Sequence, residues 1–332
     1  MALNLLFLDS FDHVVVGDMA EKWGVSFTTT ATFPAGRTGN CLRMANLNNG
    51  CTKTLPGNYA SFQIGIAVMF ETAFSSAQPI AILWDSGTLQ CDIRINTAGN
   101  LLITRGGTTL ETSTSTFSLG AWYYIEFGVI IDNAGSWTVK VNGDNWLNGS
   151  DDTQATANAY ANQFRLFGNV GGNPINIDDL YVRAGSGALD FWGDCKVIAL
   201  LPNANGTNSG WTRSAGADDY ALLDEVTPND DTDYISSATA TQKTTVNLAA
   251  SGLTGTVKGI QTLLSAKKND AGGRTINNVL RTYATDYDDA TQHYLGNSYL
   301  YHMTIRETNP NTALAWTTAE IDALEAGVKL VA

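Results

Sequence analysis

The chain has 332 residues, 44% of them hydrophobic and only 15% charged. That balance excludes a disordered chain and leaves room for two domains, each with a core of its own. The formal net charge of −13, from 32 acidic and 19 basic residues, excludes a nucleic-acid surface built on clustered Lys and Arg.

The opening stretch, Met1-Ala-Leu-Asn-Leu-Leu-Phe-Leu-Asp9, has no basic segment, and Asn4 and Asp9 break its apolar run. It reads as a strand rather than a signal peptide. Short runs of alternating or β-branched residues follow at 61–71, 79–84, 91–96, 101–105, 162–167 and 175–182. Turn residues recur about every ten positions between them, the spacing of a sandwich or jelly roll. No longer stretch in this half carries a helical period, and the polar, Ala-rich 150–162 reads as a loop or outer strand.

The most informative pair of strands is 121–131 and 135–143. In the first, Tyr123, Ile125, Phe127, Val129 and Ile131 share one face at period two, and Glu126 marks the other. In the second, Trp137, Val139 and Val141 alternate with Thr138, Lys140 and Asn142, and Asn142-Gly143 supplies a hairpin turn. The predicted fold is a lectin-like jelly-roll sandwich over 1–185. Trp122 and Tyr124 lie opposite its core face, where another layer or a neighbouring subunit is expected.

A Gly/Ser linker is predicted over 186–193, followed over 194–332 by a second β-rich domain with one short helix, so the class is all-β. Its expected strands are 195–201, 220–223, 242–248, 258–267, 275–283 and 299–307, with a loop at 202–219 carrying Trp211. The aromatic-rich strand that contains Tyr299 and Tyr301 is a candidate oligomer interface. Near the end, Thr317-Thr-Ala-Glu320 fits a capping box, with Trp316 and Ile321 as a hydrophobic staple and Gly327 as the helix stop. A last strand is expected at 328–331.

The four cysteines, Cys41, Cys51, Cys91 and Cys195, have neither CxxC spacing nor a nearby His, which argues for buried, reduced thiols and against zinc. No P-loop, GxGxxG or G-x-S-x-G motif is present, and the histidines are His13, His293 and His302. Glu320-Ile-Asp-Ala-Leu-Glu325 has the spacing of a glycosidase carboxylate set. On a helix of about 100° per residue, however, Glu320 and Asp322 point about 200° apart. No catalytic residues and no cofactor are expected. Paired loop acids offer a calcium alternative, best at Asp230, Asp231 and Asp233 and at Asp286 and Asp288; turn-forming Asp is the plainer reading. For sugar stacking, Trp146 beyond the hairpin turn and Trp211 in its Gly-rich loop are the candidates.

Asp9-Ser-Phe-Asp12, the 36–43 run Gly-Arg-Thr-Gly-Asn-Cys-Leu-Arg, the 119–126 run, Val139-Lys-Val-Asn-Gly143 and Ile177-Asp-Asp-Leu-Tyr-Val182 together resemble the concanavalin A-like, laminin-G-like domain of tailed-phage virion proteins. The stretch 194–332 is similar to a second domain fused to it in such proteins, through Leu201-Pro, Trp211, Pro228-Asn-Asp-Asp-Thr-Asp-Tyr234, Asp286-Tyr287 and the 316–327 ending. The resemblance implies a non-enzymatic virion structural protein, assembled in the host cytoplasm. Its expected place is a tail tip, fibre or baseplate, as a homo-oligomer among other virion proteins. The alternatives are a capsid-surface decoration protein or a carbohydrate-binding module that recognises host-surface glycan.

Overall fold

The structure, a computed structural model, describes residues 2–26, 31–45, 49–168 and 173–332. It divides into two compact units, Met1–Ile198 and Ala199–Ala332.

In chain order the first unit contains β1 (Leu3–Asp9), α1 (Met19–Trp23), β2 (Gly24–Ser26), β3 (Leu42–Met44), β4 (Asn49–Tyr59), β5 (Ser61–Phe70) and β6 (Gln78–Asp85). It continues with β7 (Thr88–Ile95), β8 (Asn100–Arg105), β9 (Thr108–Thr116), β10 (Trp122–Ile130), β11 (Gly135–Val141), β12 (Asp144–Asp151), β13 (Ala161–Gly168) and β14 (Ile175–Gly185). Two antiparallel sheets result. One runs β1-β14-β5-β10-β11-β12 with β3 also paired to β14, and the other runs β2-β4-β13-β6-β7-β8-β9. The all-β sandwich read from the sequence is the fold observed.

Alternation explains the packing. Ile64, Ile66, Ile125, Phe127, Val129 and Val139 of the first sheet are fully buried, as are Leu83, Ile93, Leu101, Ile103, Phe164 and Leu166 of the second. Asn142 and Gly143, at φ 51° and 91°, turn β11 into β12 as a two-residue hairpin requires.

The outer face of the first sheet is also covered. Tyr181 donates its hydroxyl to Glu126 Oε1 at 2.8 Å, Gln63 donates to Tyr181 Oη at 2.9 Å, and the backbone N–H of Gly193 donates to Glu126 Oε1 at 2.9 Å. Leu189 and Phe191 lie over Gly128, where a Cβ would meet Phe191 Cζ at 2.7 Å, so the 189–193 segment packs against this sheet. Tyr124 is only 3% exposed and its ring carries the Arg37 guanidinium, 5.2 Å from the centroid. Its face of the sheet meets another layer of the same unit, which removes Tyr124 as a contact for a neighbouring subunit.

The second unit holds β15 (Pro202–Ser209), β16 (Thr212–Arg213), β17 (Ile235–Ser236), β18 (Lys243–Leu248), β19 (Ile260–Ala266) and β20 (Thr275–Thr282). After these come β21 (Thr285–Asp288), β22 (His293–Tyr294), β23 (Leu300–Arg306), α2 (Thr318–Asp322) and β24 (Glu325–Leu330). The main sheet runs β15-β18-β24-β20-β21 with β22 on β20, and β16-β17 and β19-β23 form separate ribbons.

Four local expectations are corrected. The stretch 202–209, expected as loop, is an edge strand held to β18, and Gly206 is required there because a Cβ would meet Thr245 O at 2.5 Å. Residues 220–222 form a 3-10 turn rather than a strand, and 195–201 has no regular structure. The capping box is present, with Glu320 N donating to Thr317 Oγ1 at 3.2 Å and Thr317 N donating to Glu320 Oε2 at 2.8 Å. Gly327, however, does not stop α2. It lies within β24 against the Thr244 backbone, where no side chain fits.

Among the described residues, no helix is long and apolar enough to cross a membrane.

Candidate functional site

Two strands of the second sheet fall out of step beside Pro56. On β13, Ala161 pairs with Tyr59 and Gln163 with Thr54, so 55–58 of β4 stand opposite Asn162 alone. Pro56 has no N–H for the ladder, which favours the break in pairing at this point. The displaced segment walls an open cleft of about 450 Å³, lined by 54–58, Ser86, Asn162 and Gln163.

The cleft is set by neutral polar groups. Asn162 donates Nδ2 to Asn58 Oδ1 at 3.3 Å and to Ser86 Oγ at 3.1 Å, and its Oδ1 accepts the Ser86 backbone N–H at 2.9 Å. Gln163 donates Nε2 to Thr54 Oγ1 at 3.4 Å. Among the described residues, none that lines the cleft is ionisable. The arrangement offers amide and hydroxyl donors and acceptors to a hydroxyl-rich ligand. It offers no general acid or base of its own.

The outer face of this sheet carries Trp84, paired across from Gln163, and Arg165, two residues further along β13. The Arg165 guanidinium lies over the Trp84 ring at 4.6 Å from its centroid. Asp92 is held on this face by Arg94 Nε at 2.6 Å and by the Thr104 hydroxyl. Nothing in the sequence reading singled out these positions. Pro56-Gly57 inside a run otherwise readable as strand was the signal for the cleft.

The residues chosen from sequence lie elsewhere. Trp146 packs on Phe117 and Tyr123, with centroids at 4.8 and 6.4 Å, so its ring serves an aromatic cluster. Trp211 donates Nε1 to Gln242 O at 3.1 Å and packs against Ile276, Val328 and Leu330. Trp122 is half-buried opposite Met69 on β5. Tyr299 donates its hydroxyl to Asp231 Oδ1 at 3.1 Å, under the Lys267 ammonium at 4.5 Å. Tyr301 is half-buried opposite Ser265.

The acids proposed for calcium are engaged by the protein itself. Lys267 binds Asp231 at 2.5 Å, and Asp233 accepts Asn229 Nδ2 at 2.9 Å, while Asp230 supplies a turn at φ 54°. Asp286 accepts Arg281 at 2.7 Å and Lys243 at 3.3 Å, and Asp288 accepts Lys243 at 2.6 Å and Lys329 at 2.5 Å. Among the described residues, no group of three or more His, Cys, Asp or Glu is placed to hold a metal ion.

The glycosidase-like spacing is also absorbed locally. Glu320 caps α2 and accepts the Tyr283 hydroxyl, and Asp322 accepts the Ser251 hydroxyl and N–H. Glu325 lies in β24, not in the helix where the sequence put it, and binds Thr207 and Thr245. Cys41, Cys51 and Cys91 are buried; burial pushes the Cys41 thiol up to about 12 and that of Cys51 well above its usual range. Burial, aided by Asp179, lifts Asp178 to about 7. Asp178 nevertheless accepts three backbone N–H groups, from Arg37, Thr38 and Asp179, and so ties the 36–40 loop to β14.

No family model and no curated protein matches the chain. Among solved structures it is similar to an endo-β-1,4-glucuronan lyase from Trichoderma reesei at 14% identity, with 50% of this chain and 91% of that one covered and a TM-score of 0.40. Alginate lyase Aly36B gives 12%, 55%, 97% and 0.39 for the same measures. A Trypanosoma rangeli sialidase mutant gives 14%, 48% and 0.36, and only 28% of its chain is spanned. At these values the likeness assigns no activity to this chain.

The virion role does not stand. The similar structures named here are lyases and sialidases, enzymes of carbohydrate chemistry, and none is a virion component. The expected tail-structural function is corrected on that finding.

Proposed function

We propose that the first unit is a glycan-binding module without catalytic activity, and that its ligand occupies the cleft beside the β4 bulge. The observation that carries this reading is the lining itself, which presents amides, hydroxyls and one proline edge with no ionisable group among the described residues. Sugar hydroxyls exchange hydrogen bonds with such groups at little desolvation cost, because both partners are neutral.

The test is a glycan array followed by titration calorimetry on the hits. Asn162→Ala cuts the tie between both walls of the cleft and is expected to weaken binding about tenfold, the loss of one to two hydrogen bonds. Absence of binding to any glycan at millimolar protein sinks the module reading. New reducing ends or unsaturated products from a bound polysaccharide sink its non-catalytic half.

A further inference from the structure

A second polar cluster, sharing no residue with the cleft, is buried inside the first unit. Asp9 ends β1 and Lys22 lies in α1, and their side chains meet at 2.9 Å with neither exposed. The Asp9 Cγ is therefore within about 4 Å of the Lys22 Nζ. Three further groups hold the same atoms. His13 Nε2 lies 2.9 Å from Lys22 Nζ, Trp23 Nε1 donates to Asp9 Oδ2 at 2.8 Å, and the Phe11 N–H donates to Asp9 Oδ1 at 2.9 Å. Phe7 and Phe11 pack on the Trp23 ring, at 4.9 and 6.3 Å between centroids, and wall the contact with apolar surface.

Two charges in such surroundings are costly, since each has given up its water. Burial pushes the Lys22 ammonium below its ordinary value. Burial would raise the Asp9 carboxyl, but the Lys22 charge holds it below the usual carboxylate range. The pair thus rests as ions, and proton transfer across the 2.9 Å contact gives a neutral amine beside a neutral carboxyl. An ammonium only donates, so His13 Nε2 is its acceptor and the ring proton sits on Nδ1. Burial and the Lys22 charge bring His13 down to about 3, which keeps that nitrogen unprotonated. A second ammonium, Lys53, lies 5.1 Å from the Phe7 ring that also faces Lys22, so loss of the Lys22 charge relieves repulsion as well.

We infer that Asp9 and Lys22 join, after folding, in an isopeptide bond between Cγ and Nζ, with His13 as the proton relay. The Nζ lone pair attacks Cγ, the C–N bond forms, and charge gathers on Oδ2 under the Trp23 N–H. The Cγ–Oδ1 bond then breaks. Of the three ammonium protons one stays on the amide nitrogen, and two leave with Oδ1 as water, the second passed on by His13 Nε2. No co-reactant is needed. The product is neutral, its carbonyl oxygen keeps the Trp23 donor and its N–H faces His13 Nε2, so two buried charges give way to one paired amide. The bond fastens the end of β1, which stands at the edge of its sheet, to α1. Because the ionic form is the resting one, it closes slowly.

The experiment follows the intact mass of the folded, full-length protein over several days at neutral pH. The mass is expected to fall by one water. Denaturation and cleavage after Glu21, which lies between the two residues, should then leave 1–21 and the piece beginning at Lys22 joined. Lys22→Arg should keep its full mass. Asp9→Asn should reach the same final mass as the unsubstituted protein, because ammonia leaves in place of water and the product is the same molecule. His13→Gln should slow the loss about tenfold or more. A folded protein that keeps its full mass overturns the bond, and so do pieces that separate after cleavage, which would place the lost water elsewhere. Closure of His13→Gln at the original rate overturns the relay. The unsubstituted protein decides the bond even where a variant fails to fold.

Discussion

The two units share an all-β class but are held together in different ways. In the first, two seven-stranded sheets press complete apolar faces together, and even the polar groups on the outside of one sheet are sealed by the 189–193 segment. In the second, the apolar side of the main sheet supports two small clusters, Leu280 with Trp316, Ile321 and Leu324, and Ile276 with Val328 and Leu330. Its other side is a lattice of charge, where Lys243, Arg281 and Lys329 bridge Asp286, Asp288 and Glu325. A deep core tolerates a few charges only when each is fully matched. A thin layer uses many charges, each worth little and open to solvent.

The comparison is broken most severely at Asp9. Its carboxylate and the Lys22 ammonium meet at 2.9 Å with neither side chain exposed, and the other carboxylate oxygen accepts Trp23 Nε1 at 2.8 Å. Asp9→Ala strands a buried ammonium and an indole donor, and is expected to cost about 3–5 kcal/mol in urea denaturation. The pair Asp9→Leu with Lys22→Met should recover most of that loss, since matched burial of apolar groups removes the desolvation penalty. Failure of the double variant to recover would mean that the pair acts through the Asp9–Phe11 turn rather than through its charge.

The ionic side of the second unit gives a smaller effect with a different signature. Lys243→Met leaves Asp286 and Asp288 with fewer cations and is expected to cost about 1–3 kcal/mol, with the loss reduced in high salt. Salt independence would show that the lysine stem, not its charge, is what the sheet uses. Below this lies the helix cap. Thr317→Ala removes the acceptor of the Glu320 N–H and should lower stability by about 1 kcal/mol, read as a modest drop in Tm.

Much of this contrast was legible in the sequence, and the reasons are local. Alternation in 121–131 and 135–143 located the inner faces, because period two is set by the pleat and survives any later packing. The Thr317–Glu320 box was equally plain, since a cap is satisfied within one turn. What escaped depends on distant partners. Strand β15 has no β-branched aliphatic or aromatic side chain and becomes a strand by pairing with β18. The five-residue α1 is too short to show a period. Trp84 and Arg165 are far apart in sequence and meet only through the β6–β13 register, so no spacing rule could join them. The tryptophans that looked free in turns were drawn into clusters, because exposed indole finds apolar neighbours wherever the fold offers them.

The smallest expected effect also separates the units by pH. In the second unit, His293 on β22 and His302 on β23 lie 5.3 Å apart by ring centroids, with Asp289 Oδ2 3.7 Å from His293 Nε2. Burial, with the neighbouring His293, brings His302 down to about 4, and burial lowers His293 despite Asp289. A histidine whose folded-state value lies below its unfolded value binds fewer protons when folded. Its contribution is therefore complete above about pH 6.5 and is lost as pH falls toward 4. Asp178 and Asp179 of the first unit, raised chiefly by burial to about 7 and about 6, act in the opposite sense and favour the folded state as pH falls through that window. His13, also in the first unit and brought down to about 3 by burial and Lys22, opposes them. Between pH 7 and 5.5 His302 contributes about 0.5–1 kcal/mol after solvent screening. Histidine NMR titration should place the His302 midpoint below pH 5, and His302→Gln should flatten the acid limb of the second unit's unfolding. An unshifted His302 midpoint near 6.5 would remove the contrast, because the ribbon would then be open enough to hydrate the ring.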